Sequence, residues 1–359
     1  MSKTVNIGKV KIGGGNPIAI QSMANKDPHD EDALIKQVMR LSDAGCDIMR
    51  LTVPDMEAAK TFGRVKQKLM DKGYDIPLVA DIHFDYRMAI ESIKRGADKI
   101  RINPGNIGSA ERIKLVADTA AEYGVPIRVG VNSGSLEADL IEKYGGVTAE
   151  GLAESALDNL RIIEDLGYDD LVVSIKSSNV RMNYEAHKIL ASETDHPIHI
   201  GITEAGTLKR GQVKSAIGIG ALLLEGIGDT MRVSLTADPI EEVIYAKEIL
   251  RTLGLRKSAI DLVSCPTCGR TKIDLEDLAN RVEEELRPLE ERLIAEGKPG
   301  IKVAVMGCAV NGPGEGKEAD FGVCGGYGEG LLIKKGEIIG KVPENKIVSE
   351  LISLIEANI

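Results

Sequence analysis

Cys265-Pro266-Thr267-Cys268 puts two thiols in one tight turn, a spacing that lets both sulfurs face a single metal. Cys308 lies 40 residues beyond Cys268, within Met306-Gly307-Cys308-Ala309-Val310-Asn311-Gly312-Pro313-Gly314-Glu315. The glycines of that run let backbone approach a bound group closely. Three thiols meet only if the chain segments that carry them are neighbours, and a metal site then asks for a fourth ligand. Cys324, in Phe321-Gly322-Val323-Cys324-Gly325-Gly326, completes a set of four thiolates. Ligand chemistry alone prefers it to Glu315, since thiolates are the usual ligands of iron–sulfur clusters. Four thiolates suit a structural zinc equally well, so spacing leaves both metals open. Cys46 follows Gly45 at a helix end and reads as a core residue.

A second set of reactive side chains falls near the ends of β-branched runs. It comprises Arg50, Asp81, His83, Arg101, Asn103, Arg128, Asn132, Lys176, Glu204, Arg232 and Ser234. Cations gathered in one place repel unless an anion joins them, and Arg forms paired hydrogen bonds with phosphate oxygens. The set therefore predicts a phosphorylated ligand, and suits a diphosphate, if the runs converge. Asp81 and His83 are two residues apart, which on a strand places them on one face, ordering a polar network around substrate. Glu204, in Gly201-Ile202-Thr203-Glu204-Ala205-Gly206, is the acid candidate. A carboxyl kept dry retains its proton and can donate it to a departing hydroxyl. The plainer expectation for Glu204 is an ion pair with one of the arginines.

The elements that must position these groups follow a repeating pattern. Predicted strands cover 18–23, 48–53, 77–83, 99–103, 126–132, 170–176, 197–204 and 230–236. Helical patterns between and after them include 30–44, 56–72, 109–123, 149–166, 210–224 and 239–253, several stopping at Gly45, Gly73, Gly124 and Gly167. Eight βα units over about 250 residues predict a closed (β/α)8 TIM barrel. A doubly wound open sheet has fewer strands and an early Gly-x-Gly-x-x-Gly after the first of them. Here Gly13-Gly14-Gly15 comes before the first strand. The barrel is expected over 1–254 as the substrate-binding domain. After a linker at 255–259, a separate α+β domain over 260–359 carries the cysteines. Its expected elements are strands at 260–263 and 301–306, a charged helix at 274–295, a hairpin at Lys335-Gly336 and a helix at 344–357.

Composition narrows the setting. The formal charge of −10 argues against nucleic acid as the main partner, because phosphate backbones need a basic surface. No apolar run approaches the roughly 18 residues of a membrane span, and the start lacks a secretory plan, so a cytoplasmic location is expected. In that reducing compartment five cysteines point to metal or redox chemistry instead of a disulfide framework.

The two cysteine-bearing runs, with Ser264 before and Gly269-Arg270 after the first, closely resemble the 4-hydroxy-3-methylbut-2-enyl diphosphate synthase family. The resemblance continues at Ile20-Gln21-Ser22-Met23, Ala80-Asp81-Ile82-His83-Phe84, Arg101-Ile102-Asn103-Pro104-Gly105-Asn106 and Val129-Gly130-Val131-Asn132-Ser133-Gly134-Ser135-Leu136. It implies one [4Fe–4S] cluster per chain, held by Cys265, Cys268, Cys308 and Glu315, with Cys324 a small buried residue nearby. A carboxylate binds its iron more weakly than a thiolate, so that corner can accept a substrate oxygen and act as a Lewis acid. The implied reaction is reduction of 2-C-methyl-D-erythritol 2,4-cyclodiphosphate in the methylerythritol phosphate route to isoprenoids. Within it, Asn311 is expected to orient an oxygen near the cluster and Glu204 to protonate the leaving hydroxyl. A flavodoxin or ferredoxin is implied as electron donor, and a homodimer in which each cluster domain caps the partner's barrel. Two rivals remain: a pterin- or corrinoid-dependent transferase barrel with structural zinc, and a non-catalytic metal-binding sensor on a degenerate barrel.

Overall fold

The structure is a computed structural model that describes residues 1–308 and 317–359. The chain divides into two compact units, Met1–Arg256 and Lys257–Ile359.

The first unit opens with a small antiparallel hairpin, β1 (Val5–Ile7) and β2 (Val10–Ile12). Eight strands follow: β3 (Ala19–Met23), β4 (Ile48–Thr52), β5 (Leu78–Asp81), β6 (Lys99–Ile102), β7 (Ile127–Asn132), β8 (Leu171–Lys176), β9 (His199–Gly201) and β10 (Thr230–Arg232). All pair in parallel in the order 8-7-6-5-4-3-10-9, and a bridge between Val173 and Ile198 joins β8 to β9 to close the ring. Each strand leads to at least one helix, which gives the (β/α)8 barrel. The sequence pattern names six of those helices; Tyr86–Lys94 and Val180–Glu193 fill the two intervals between. Asp30, Asp55, Asp85 and Asn179 start their helices by accepting a backbone N–H.

Alternation decides what fills this barrel. Ile100 and Ile102 of β6 join the apolar layer shared with the helices, while Lys99 and Arg101 take the opposite face. At the end where the strands begin, Ala19, Ile48, Val79 and Val172 pack against Val5, Ile7 and Ile12. The hairpin is thus an apolar plug. Gly13, next to it, has φ +69, and a Cβ there would lie 2.0 Å from the Lys3 carbonyl oxygen. The triple glycine therefore serves the plug's turn.

Two predicted strands are shorter than expected. The run 197–204 is extended only over His199–Gly201, and 230–236 only over Thr230–Arg232. Glu204 at φ +51 breaks the extended run, and beyond the ladder the two segments meet again only through an isolated bridge, Thr207 to Thr236.

The second unit is one five-stranded mixed sheet: β11 (Ile260–Ser264), β12 (Ile301–Met306), β13 (Phe321–Gly325), β14 (Glu329–Lys334) and β15 (Glu337–Pro343). The first three are parallel and the last three antiparallel, in chain order. Leu275–Ala295 buries Leu275, Leu278, Val282, Leu286, Leu289 and Leu293, a three-and-four spacing that makes one stripe. With Ile347–Glu356 it covers the sheet face that carries Val303, Val305, Val323 and Leu332. The closing helix begins later than expected, because Glu344–Lys346 forms a 3-10 turn first. The glycine-rich stretch also hides a strand, β13, with Cys324 inside it.

Candidate active site

The strands bring most of the predicted cations together inside one barrel. Arg50, Lys99, Arg101 and Arg128 are buried, and Lys176 and Arg232 are half-buried. Arg128 is 0 % exposed, and none of its three guanidinium nitrogens has a hydrogen-bond partner among the described residues. Arg50 Nη1, Arg101 Nε, Arg232 Nε and Lys99 Nζ are in the same condition. Unpartnered buried donors are costly, and their concentration in the barrel interior is the clearest feature of the unit.

Asp81, at the end of β5, is the carboxylate among them. Its oxygens lie 3.8 Å from Arg50 Nε, 3.5 Å from Arg101 Nη1 and 3.4 Å from His83 Nε2. Burial favours its protonated form, but Arg50, the His83 hydrogen bond, Arg101 and Arg128 outweigh this and hold it far below the usual carboxylate range. The same burial presses the cations the other way. It lowers Arg50 to about 10 against the pull of Asp81, and it leads, ahead of neighbouring arginines, in holding Arg128 and Lys176 well below their ordinary values.

Local geometry fixes each arginine. Arg50 Nε and Nη2 approach Met23 Sδ at 3.2 and 2.7 Å, and Arg232 Nη1 approaches it at 3.4 Å. Arg232 Nη2 also lies 3.5 Å from Glu242, whose other oxygen accepts from Ser22 Oγ at 3.2 Å. Arg101 occupies space that only a glycine leaves free: a Cβ on Gly130 would sit 2.8 Å from its Nε.

Other predicted residues take different positions. His83 is exposed and lies past the end of β5, so the strand-face argument fails although the contact with Asp81 exists. Asn103 Oδ1 accepts from Gly105 N–H at 3.1 Å as the cap of the short helix Pro104–Ile107, which commits its oxygen to structure. Asn132 and Lys176 end β7 and β8 as register partners. Lys176, His199, Thr203, Arg232 and Ser234 line a 30 Å³ cavity. Glu204 is exposed and makes no ion pair among the described residues, so the expected arginine partner is not there. A roomier cleft of 570 Å³ between Lys36, Arg40 and Asp238 pairs Arg40 with Asp238 and shares no lining residue with the small cavity.

Sequence reasoning passed over Lys99, His199 and Gln21. All three are buried, and each precedes a strand-end position by two residues. Reading each strand back by one period would have found this lower layer. His199 Nδ1 pairs with Thr230 Oγ1 at 2.7 Å, whereas neither amide atom of Gln21 has a partner among the described residues.

In the second unit, β11 and β12 are parallel neighbours with Ser264 beside Val305. Cys265 follows the first and Cys308 lies two residues past the second, so the required neighbouring segments exist. Gly307 N–H donates to Cys265 Sγ at 3.2 Å, and Lys272 N–H donates to the Gly307 carbonyl at 3.3 Å, tying the two loops together. Cys268 is exposed; the backbone N–H and guanidinium of Arg270 bond its sulfur and lower its pKa. Among the described residues the three sulfurs are not all within 4.8 Å of one another, a wider spread than the roughly 3.8 Å between tetrahedral zinc thiolates. Thiols at neighbouring strand ends, with N–H donors aimed at two of them, fit an iron–sulfur cluster's donor set. Cys324 is wholly buried beside Met306, one strand further on. Asn311 and Glu315 lie outside the described residues. Cys46 is in the barrel core, where burial pushes its thiol up to about 12.

Fold and site define a class: a (β/α)8 barrel with buried cations inside, on one chain with a mixed-sheet unit bearing strand-end thiols. Residues 2–247 match the GcpE TIM-barrel domain and 261–357 the GcpE protein C-terminal domain, and the chain belongs to that family. It is 54% identical over 356 residues to the 4-hydroxy-3-methylbut-2-en-1-yl diphosphate synthase (flavodoxin) of Caldanaerobacter subterraneus subsp. tengcongensis, covering 99% of this chain and 97% of that one. The protein of the same description from Clostridium acetobutylicum is 52% identical over 355 residues, covering 99% and 98%. Among solved structures, Yersinia pestis dihydropteroate synthase with a pterine-sulfa conjugate superposes with TM-score 0.52 at 15% identity, covering 71% of this chain and all of that one. That likeness shows the barrel fold alone and gives the pterin-dependent rival no support.

Proposed function

We propose that this chain is the iron–sulfur oxidoreductase that opens 2-C-methyl-D-erythritol 2,4-cyclodiphosphate and removes a hydroxyl, giving (E)-4-hydroxy-3-methylbut-2-enyl diphosphate. The observation that supports the reading is the set of buried cations with unpartnered donors among the described residues, Arg128 above all, inside a family barrel. Two electrons and two protons enter, the ring C–O bond breaks, and one water leaves. A [4Fe–4S] cluster on Cys265, Cys268, Cys308 and Glu315 supplies the electrons and a Lewis-acidic iron.

The chain's own residues do the rest. Arg50, Arg101, Arg128, Lys176 and Arg232 hold the diphosphate, with Ser234 and Asn132 offering hydrogen bonds at the strand ends. Ligand oxygens give the buried guanidiniums the acceptors they otherwise lack. The cavity there is only 30 Å³, so the half-buried Lys176 and Arg232 swing aside as the ligand enters. Asp81 and His83 hold the neighbouring arginines in place, and Asn103 keeps its amide nitrogen for the ligand. Glu204 delivers a proton to the departing hydroxyl. Its support is its left-handed backbone, φ +51, a conformation that costs a non-glycine residue about 1 kcal/mol and recurs at working sites. Asn311 orients an oxygen beside the cluster.

The reading includes one cluster per chain, a flavodoxin or ferredoxin as electron donor, no nucleic-acid partner, and the cytoplasm as the compartment that keeps thiolates reduced. Among the described residues no helix is long and apolar enough to cross a membrane. The relatives' descriptions favour flavodoxin as the donor. A homodimer with each cluster domain capping the partner's barrel rests on the family resemblance. Mixing an Arg128→Met chain with a Cys268→Ser chain tests it: hybrid dimers regain activity if sites form across chains and stay inactive if they close within one. For the whole reading, anaerobic purification with iron and sulfide analysis and single-turnover reduction of the cyclodiphosphate is decisive. Four irons with product support it; one zinc without product ends it.

A further inference from the structure

Lys99 opens β6 two residues before Arg101, so its side chain enters the barrel one layer below the strand ends. It is 0 % exposed, and its Nζ has no hydrogen-bond partner among the described residues. Arg50, Arg128, Lys176, His199 and Arg232 face the same interior from the other strands, and Arg101 stands above it on its own strand. Opposing them are Asp81, already shared by Arg50, Arg101 and His83, and Glu242 behind Arg232. A guanidinium in a protein keeps its proton, but an amine can release one. Of the two amines in the interior, Lys99 is wholly buried and its Nζ has no partner among the described residues, whereas Lys176 is half-buried, so Lys99 is the first through which the empty barrel relieves its excess charge.

We propose that Lys99 is a positioning residue that couples diphosphate binding to the uptake of one proton, a neutral amine in the empty barrel and an ammonium in the filled one. The inference rests on the diphosphate reading above. The proton comes from solvent, and no other bond forms or breaks. Burial first, then Arg128 and Arg50, holds the empty-state pKa of Lys99 well below that of an ordinary lysine. A dianion nearby reverses that repulsion and raises it. Between the two values binding takes up a proton, so affinity falls as pH rises, by up to about tenfold per pH unit.

The test is calorimetric titration of the anaerobic holoenzyme, without reductant, with 2-C-methyl-D-erythritol 2,4-cyclodiphosphate. Each phosphorus of that ligand carries one ester and the bridging anhydride oxygen and so keeps a single, strongly acidic oxygen; protons exchanged near neutrality therefore belong to the protein. Two buffers of different ionisation enthalpy give the count. Across a pH series, wild type is expected to take up about one proton per ligand between the empty-state and filled-state pKa values of Lys99. Lys99→Met and Lys99→Arg should both bind and both lose that proton, with a flatter dependence of Kd on pH. No uptake in wild type, or the same uptake in whichever variant folds, overturns the role of Lys99. Failure of wild type to bind at all sinks the diphosphate reading itself, and this inference with it.

Discussion

The barrel interior and the cysteine end of the second unit prepare for charge in opposite ways. In the barrel the charges are in place beforehand: Arg128 is locked into a strand, wholly buried and without acceptors. Sheet register fixes the buried Arg50, Lys99, Arg101 and Arg128, while Lys176 and Arg232 at the rim are half-buried. At the cysteine end the sulfurs sit on loops, Cys268 exposed and Cys265 half-buried, and N–H groups from Gly307 and Arg270 do the positioning. One region crowds like charges on a buried scaffold; the other holds its sulfurs with backbone hydrogen bonds and, on the proposed reading, is completed by the group it binds. Removing a residue should therefore weaken the second region's cofactor while, in the first, it separates stability from binding.

The largest effect is expected from Cys268→Ser. Iron content should fall and turnover should drop by more than about a thousandfold, since a lost cluster ligand removes the electron path. Calorimetry should still find the cyclodiphosphate binding the barrel with nearly wild-type affinity. Loss of binding together with iron would mean the two regions are not separable.

Asp81→Asn comes next, and its sign follows from charge. Asp81 is the carboxylate that Arg50, Arg101 and His83 share, so removing it leaves their charges uncompensated, at about 3–5 kcal/mol. Its folded pKa is depressed. Its stabilisation is therefore fully present above the unfolded value of about 3.9 and is lost as pH falls through the folded value. Denaturant titrations should show the variant weaker at neutral pH but less sensitive to acid below about pH 4. Parallel acid profiles for the two proteins would contradict the geometry.

Arg128→Met inverts that pattern. Affinity for the cyclodiphosphate should fall about a hundredfold, the scale of one or two charge-assisted hydrogen bonds. The ligand-free protein should nonetheless melt higher, gaining roughly 1–4 kcal/mol, because an apolar side chain of similar length replaces a buried charge without partners. A variant that both binds poorly and melts lower would show that Arg128 is structural.

Much of this contrast was legible in the residues themselves. Strand count, the glycine stops and the strand-end cations convey the barrel because parallel strands repeat a short apolar run followed by polar loop residues. The spacing of Cys265 and Cys308 sets a condition, that their segments be neighbours, and β11 and β12 meet it by pairing. The lower layer was not legible, because attention to strand ends skips the residue two positions earlier: Lys99, Gln21 and His199 are interior for the reason that Arg101, Met23 and Gly201 are. His83 was misplaced because β5 ends at Asp81, and no local signal marks that end. The ion pair expected of Glu204 failed for a backbone reason, its left-handed turn, which hydrophobic periodicity does not report. Strand β13 escaped because Gly322 and Gly325 read as loop, whereas a Cβ on Gly322 would lie 2.7 Å from the Ala304 carbonyl oxygen. Close sheet packing, not a turn, explains that glycine.

The mildest expected effect also gives the sharpest measure of barrel preorganisation. In Gly130→Ala the new Cβ falls 2.8 Å from Arg101 Nε and 3.0 Å from Nη2, so the guanidinium shifts by a few tenths of an ångström. Because the far end of a long side chain gives way more easily than backbone, the stability cost should be near 1 kcal/mol. Cyclodiphosphate affinity should fall by roughly five- to tenfold, as one charge-assisted bond is misdirected instead of lost. The loss acts through Arg101, so it should vanish in an Arg101→Met background, where a double-mutant cycle would assign nearly the whole effect to the pair. Additive losses would mean that the missing Cβ of Gly130 serves the strand, leaving the arginine's placement to Asp81 and the Gly130 carbonyl.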